Sequence, residues 1–91
     1  SEKLQYINIT IQNERGEAQD IKLKRSETFK NLLERAEIDV GTTLYKLVCY
    51  IGSIEKPIDY NKDNGKTLQS VFENEASGKV RLVKTFVAGT D

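Results

Sequence analysis

One stretch of this chain, residues 26–38 (SETFKNLLERAEI), carries enough helical periodicity for a full helix, and it constrains everything else. Phe29, Leu32, Leu33 and Ala36 recur at i, i+3, i+4 and i+7, the spacing that lines one helix face. Lys30, Asn31, Glu34 and Arg35 fall on the opposite face. Ser26 or Thr28 can accept a backbone N–H at the helix start, and Glu27 stands where the helix dipole favours negative charge. Strand patterns surround this helix on both sides. A lone amphipathic helix among strands must lay its apolar stripe across a sheet.

The strands are read from alternation. In residues 4–12 (LQYINITIQ), Ile7, Ile9 and Ile11 share one face, and Tyr6, Asn8 and Thr10 the other. Asn13–Gly16 supplies a turn, with Gly16 suited to the positive φ of a short hairpin loop. Residues 17–25 (EAQDIKLKR) resume the pattern, with Ile21 and Leu23 inward and Lys22 and Lys24 outward. After the helix and the Asp39–Thr42 connection, residues 43–51 (TLYKLVCYI) form the most apolar run. We expect it to be the central strand, because a strand covered on both faces loses its alternation. Residues 54–58 (IEKPI) read as a brief edge strand because Pro57 cannot donate a ladder bond.

Residues 59–66 (DYNKDNGK) are dense in turn formers. Leu68, Val71 and Phe72 have helical spacing over about two turns, and residues 79–87 (KVRLVKTFV) close the chain as a strand. The expected core unites Phe29, Leu32 and Leu33 with Ile7, Ile9, Ile21, Leu23, Leu47, Leu68, Val80 and Leu82.

Composition narrows the function classes. The 91 residues suffice for one domain, 1–91, with a working core. Fourteen Lys and Arg balance fourteen Asp and Glu, so net charge advertises neither nucleic acid nor acidic lipid. The single Cys49 has no disulfide partner, which fits a reducing, cytoplasmic setting. No apolar run approaches a membrane span. Because the chain starts at Ser1 rather than Met, we expect a fragment of a larger protein or the remnant of tag removal.

The order ββαββ(short helix)β resembles the ubiquitin-like β-grasp fold, an α+β architecture with a mixed sheet of about five strands on one main helix. Ubiquitin's R-L-I-F-A-G reads here as Lys46-Leu-Val-Cys-Tyr-Ile-Gly52, with one residue inserted before the glycine. Its R-T-L-S-D-Y reads as Lys66-Thr-Leu-Gln-Ser-Val71, and its T-L-H-L-V as Lys79-Val-Arg-Leu-Val83. The end, Val87-Ala-Gly-Thr-Asp91, lacks the diglycine of conjugated relatives, so conjugation is not expected.

Within the superfamily, the layout looks most like Ras-binding and Ras-association domains, which set a basic second strand against an edge strand of a small GTPase. That resemblance implies a partner-binding set of Lys22, Lys24 and Arg25 on the second strand with Lys30 and Arg35 on the helix, interrupted by Asp20, Glu27 and Glu34. The alternatives are an integral ubiquitin-like domain, read by ubiquitin receptors through Val48 and Val83 on the sheet face, and a structural subdomain packing within its parent. Lysines on an outward strand also have a simpler use, discouraging sheet-to-sheet aggregation.

Catalysis finds little foothold. The chain has no histidine, and no P-loop, dinucleotide fingerprint or zinc spacing occurs. The Asp59–Gly65 segment resembles a calcium loop only in part, with Asn64 where glycine is required and Ser70 where the bidentate glutamate belongs. Cys49 in an apolar strand reads as a buried, inert thiol. The expectation is a non-enzymatic protein-interaction module without cofactor or metal, monomeric in isolation, with no nucleic-acid partner and no membrane insertion.

Overall fold

Alternation along the first hairpin decides which way the sheet faces. In the computed structural model, which describes residues 5–85, β1 (Tyr6–Gln12) buries Ile7, Ile9 and Ile11 and turns Tyr6, Asn8 and Thr10 outward. The intervening loop is organised by Asn13, whose carboxamide oxygen accepts from the backbone N–H of Arg15 and of Glu17, both at 2.9 Å. Gly16 takes φ +86°, which a side chain would resist. β2 (Ala18–Lys24) pairs antiparallel with β1, setting Ile21 against Ile9 and Leu23 against Ile7. Leu4, expected at the head of β1, lies outside the described residues.

The helix α1 (Phe29–Arg35) is shorter than its sequence pattern. Thr28 is the N-cap: its hydroxyl accepts from Asn31 N–H while the Asn31 side chain accepts from Thr28 N–H, a reciprocal capping box. At the other end Ile38 N–H reaches Leu33 C=O and Glu37 N–H reaches Glu34 C=O, the bond pair of a Schellman termination. Glu37 therefore occupies φ +59°, where glycine is the usual residue. Phe29, Leu32, Leu33 and Ala36 are buried as their spacing requires, and each large side chain so placed contributes about 1.5–3 kcal/mol.

β3 (Tyr45–Ile51) and β4 (Ile54–Asp59) form a second antiparallel hairpin. Two short helices follow, α2 (Tyr60–Asp63) and α3 (Leu68–Phe72), and β5 (Ser77–Lys84) is the last described element, with Phe86 and Val87 of the expected strand lying outside the described residues. The segment read as a plain turn from Asp59 thus holds a helical turn, capped by the Asp59 carboxylate on Asn61 N–H at 3.1 Å. Tyr60, 6% exposed, anchors it in the core. One apolar residue in four carries no periodicity, which is why the sequence shows only turn formers.

The five strands order as β2-β1-β5-β3-β4, with β1 and β5 parallel and the other neighbours antiparallel. The middle strand is therefore β5 and not the 43–51 segment, which corrects the expectation from apolarity. β3 is nonetheless interior, and its broken alternation has a local cause. Leu47 and Cys49 face the helix, while Val48 on the opposite face is still only 7% exposed. It sits between Arg81 of β5 and Pro57 of β4, its register partners. β4 is an edge strand as Pro57 implied. The architecture is α+β, one core between a mixed sheet and α1 with its two short companions.

Candidate interaction surface

Among the described residues only β2 and β4 border the sheet, and they are the strands able to accept another. In the middle of β4, Pro57 offers no N–H to a newcomer. β2 has no proline. The direction of its main chain follows from its last residue: Lys24 N–H donates to the Glu27 carboxylate at 2.8 Å, and Lys24 C=O accepts from Glu27 N–H at 3.0 Å. Both groups point away from β1. In an antiparallel strand alternate residues share that direction, so Lys22, Asp20 and Ala18 also aim N–H and C=O at the outer edge. Their side chains lie on the sheet face opposite the helix.

The structure sorts the five expected basic residues into three groups. Lys22 and Lys24 are exposed on β2, with Lys22 Nζ 4.8 Å from the centre of the Tyr6 ring. Arg35 joins them from α1: its guanidinium meets Glu27 at 2.9 Å, and the same carboxylate holds Lys24 N–H. Lys30 stands apart. Its N–H bonds Asn64 C=O, and its helical neighbour Glu34 acts on Tyr60, whose phenol is pushed above its ordinary pKa by burial and secondarily by that charge. The Lys30–Glu34 flank therefore faces α2, away from β2. Arg25 requires a correction. It is 4% exposed, and its Nη1 donates to Glu73 C=O at 2.8 Å, tying the end of β2 to the chain after α3. Its guanidinium belongs to the interior and not to a docking surface.

Asp20 and Glu27, interruptions of the basic surface in sequence, both have a position in it in the structure. Asp20 accepts from the Thr10 hydroxyl at 2.6 Å across the β1–β2 pair. Glu27 occupies the main chain of Lys24 and thereby sets where the open part of the edge stops. Neither relation has a periodic signature: the first depends on the register of the β1–β2 hairpin, the second on the chain reversing between β2 and α1.

The alternative surface lies on the outer face of β3 and β5. Val83 is half-buried and Val48 nearly covered. Around them Arg81 Nε donates to the Tyr50 hydroxyl at 3.0 Å, and Lys79 Nζ stands 5.5 Å from the Tyr50 ring centre. The result is a framed polar surface in which Val48 exposes little apolar area. Among the described residues no group of three His, Cys, Asp or Glu could hold a metal ion, and no helix is long and apolar enough to cross a membrane.

No protein-family model matches the chain, and no curated protein matches its sequence. Solved structures do match its shape. A protein designed de novo on the basis of ubiquitin is 14% identical with a TM-score of 0.60, over 96% of this chain and 98% of its own. An Arabidopsis thaliana protein determined from evolutionary couplings and sparse NMR data is 18% identical with a TM-score of 0.54, over 96% of both chains. A third structure, described as a molecular mimic of SUMO that promotes DNA repair, is 14% identical with a TM-score of 0.55, over 87% of this chain and 91% of its own. At these identities the likeness concerns the fold, and the fold is the ubiquitin-like β-grasp.

Proposed function

We propose that this chain is a non-catalytic protein–protein interaction module of a cytoplasmic protein, of Ras-binding or Ras-association type, which adds an edge strand of an acidic partner to β2. The observation that carries this reading is the edge itself. β2 is a proline-free border of the sheet, its main-chain groups at Ala18, Asp20 and Lys22 aim outward, and Lys22 and Lys24 set positive charge along it, with Arg35 beside them paired to Glu27. Ladder bonds would supply affinity, while the cations steer an acidic surface and fix register. The near-complete cover over Val48 weighs against the ubiquitin-receptor alternative, which needs exposed apolar area there.

The test is binding to a small GTPase loaded with a GTP analogue or with GDP, at low and moderate salt. Lys24→Glu should slow association and flatten its salt dependence, because exposed charges act mainly on encounter. Val83→Asp, on the same sheet face but two strands away on β5, should leave binding unchanged. Loss of binding in Val83→Asp with none in Lys24→Glu would move the interface to the ubiquitin-type face. Absence of binding to any loaded GTPase would remove the Ras-type assignment.

A further inference from the structure

The charge order of β2 also suits a second copy of itself. Its residues run Ala18-Gln-Asp-Ile-Lys-Leu-Lys24, with an acid and a base placed symmetrically about Ile21. Consider two β2 strands paired antiparallel about a two-fold axis through Ile21. Asp20 then stands opposite the partner's Lys22, and Lys22 opposite the partner's Asp20. Ala18 lies opposite the partner's Lys24. On the helix-side face the half-buried Ile21 meets the partner's Ile21, and Gln19 meets the partner's Leu23.

Direction and register support the same arrangement. Asp20 and Lys22 are the residues whose main-chain groups aim outward, so each Asp–Lys pair exchanges both of its ladder bonds as well as opposite charges. Glu27 holds the main chain of Lys24 and ends the ladder there. A register slip must keep each residue on its face. The nearest such two-fold registers centre on Asp20 or on Lys22, and they set Asp20 against the partner's Asp20 or Lys22 against the partner's Lys22. Like charges directly opposite are destabilising, so only the register centred on Ile21 is complementary throughout.

We infer that β2 self-pairs in this register, giving a two-fold dimer with one continuous sheet and both helices on the same side. The inference rests on the reading of β2 as the docking edge, and it departs from the expectation of a monomer. The second copy then competes with a partner strand for the same main-chain groups, so partner uptake requires release of the dimer.

Sedimentation of the 91-residue chain across the micromolar to millimolar range tests this. A reversible dimer is expected, with protection of the Asp20 and Lys22 amides from hydrogen exchange rising with concentration. Lys22→Asp sets acid against acid twice and should weaken dimerisation about ten-fold or more. The swap Asp20→Lys with Lys22→Asp restores complementarity and should recover the parent value to within about three-fold. Circular dichroism checks that each variant folds. A chain that stays monomeric overturns the inference, as does a Lys22→Asp variant that dimerises like the parent or a swap as weak as the single change. Binding to the loaded GTPase separates the two claims. A monomer that binds it through β2 overturns self-pairing alone, whereas a dimer of the stated register that binds none supports self-pairing and overturns the partner assignment.

Discussion

A methyl group on Gly78 would stand 2.4 Å from Cε1 of Phe72, closer than any carbon can be tolerated. Phe72 is fully buried and packs its ring against Phe29 at a centroid distance of 6.4 Å, so it has no room to withdraw. β5 can pass beneath α3 only as glycine at this point. Gly78→Ala is therefore expected to cost about 1–3 kcal/mol, the range of an overpacked core. Urea denaturation of the variant checks it. A change below a few tenths would mean that the ring moves freely.

Arg25→Ala should act on stability and not on partner uptake. The substitution deprives Glu73 C=O of its donor and removes the packed stem of a buried side chain. A loss of about 1–3 kcal/mol is expected. Lys24→Glu, on an exposed side chain of the preceding residue, should stay within about half a kcal/mol. Melting both variants and measuring GTPase binding of the folded protein distinguishes an interior arginine from an interface one.

Glu37 closes α1 in the left-handed region at φ +59°. That conformation costs a non-glycine residue about 1–2 kcal/mol. The extra unfolded-state freedom of glycine offsets about 0.4–1 of this. Glu37→Gly should thus stabilise the chain by roughly 0.5–1 kcal/mol, seen as a higher denaturation midpoint with an unchanged m-value. A destabilised variant would show that the Glu37 side chain makes compensating contacts.

Burial pushes the Cys49 thiol up from 9.0 to about 12, with nearby Lys56 opposing it only in part. The folded-state value lies above the unfolded one, so the folded chain holds this proton more tightly. The associated stability is complete below about pH 9 and is lost as pH rises toward about 12, at about 1.4 kcal/mol per pH unit. Burial shifts Tyr45 and Tyr60 in the same direction, and both add to the decline. Denaturation at pH 8, 9.5 and 11 should give a steeper fall for the parent than for Cys49→Ala. At pH 8 the thiol should react with a disulfide reagent only on unfolding.

Local periodicity made much of the fold legible. Phe29, Leu32, Leu33 and Ala36 marked the helix face, Ile7, Ile9 and Ile11 the first strand, and Asn13 with Gly16 the hairpin, because each signal lies within a few residues of chain. Pro57 marked an edge for the same reason, as a missing donor is a property of one residue. Tertiary structure decided the rest. That β5 and not β3 is the middle strand depends on the parallel pairing of Ile11 with Val80, which no neighbouring residues encode. Arg25, two residues after Leu23, falls on the same inward face, yet only the fold supplies the Glu73 carbonyl, 48 residues later, that lets a guanidinium sit there. Lys30 and Arg35 both lie off the apolar stripe and, five residues apart, about 140° from each other, but only the fold brings Asn64 C=O to the Lys30 N–H and Glu27 to the Arg35 guanidinium. Sequence spacing sets which side of an element is polar. Only the packing of elements against one another sets what that side meets, because burial rewards whichever long-range arrangement closes the core.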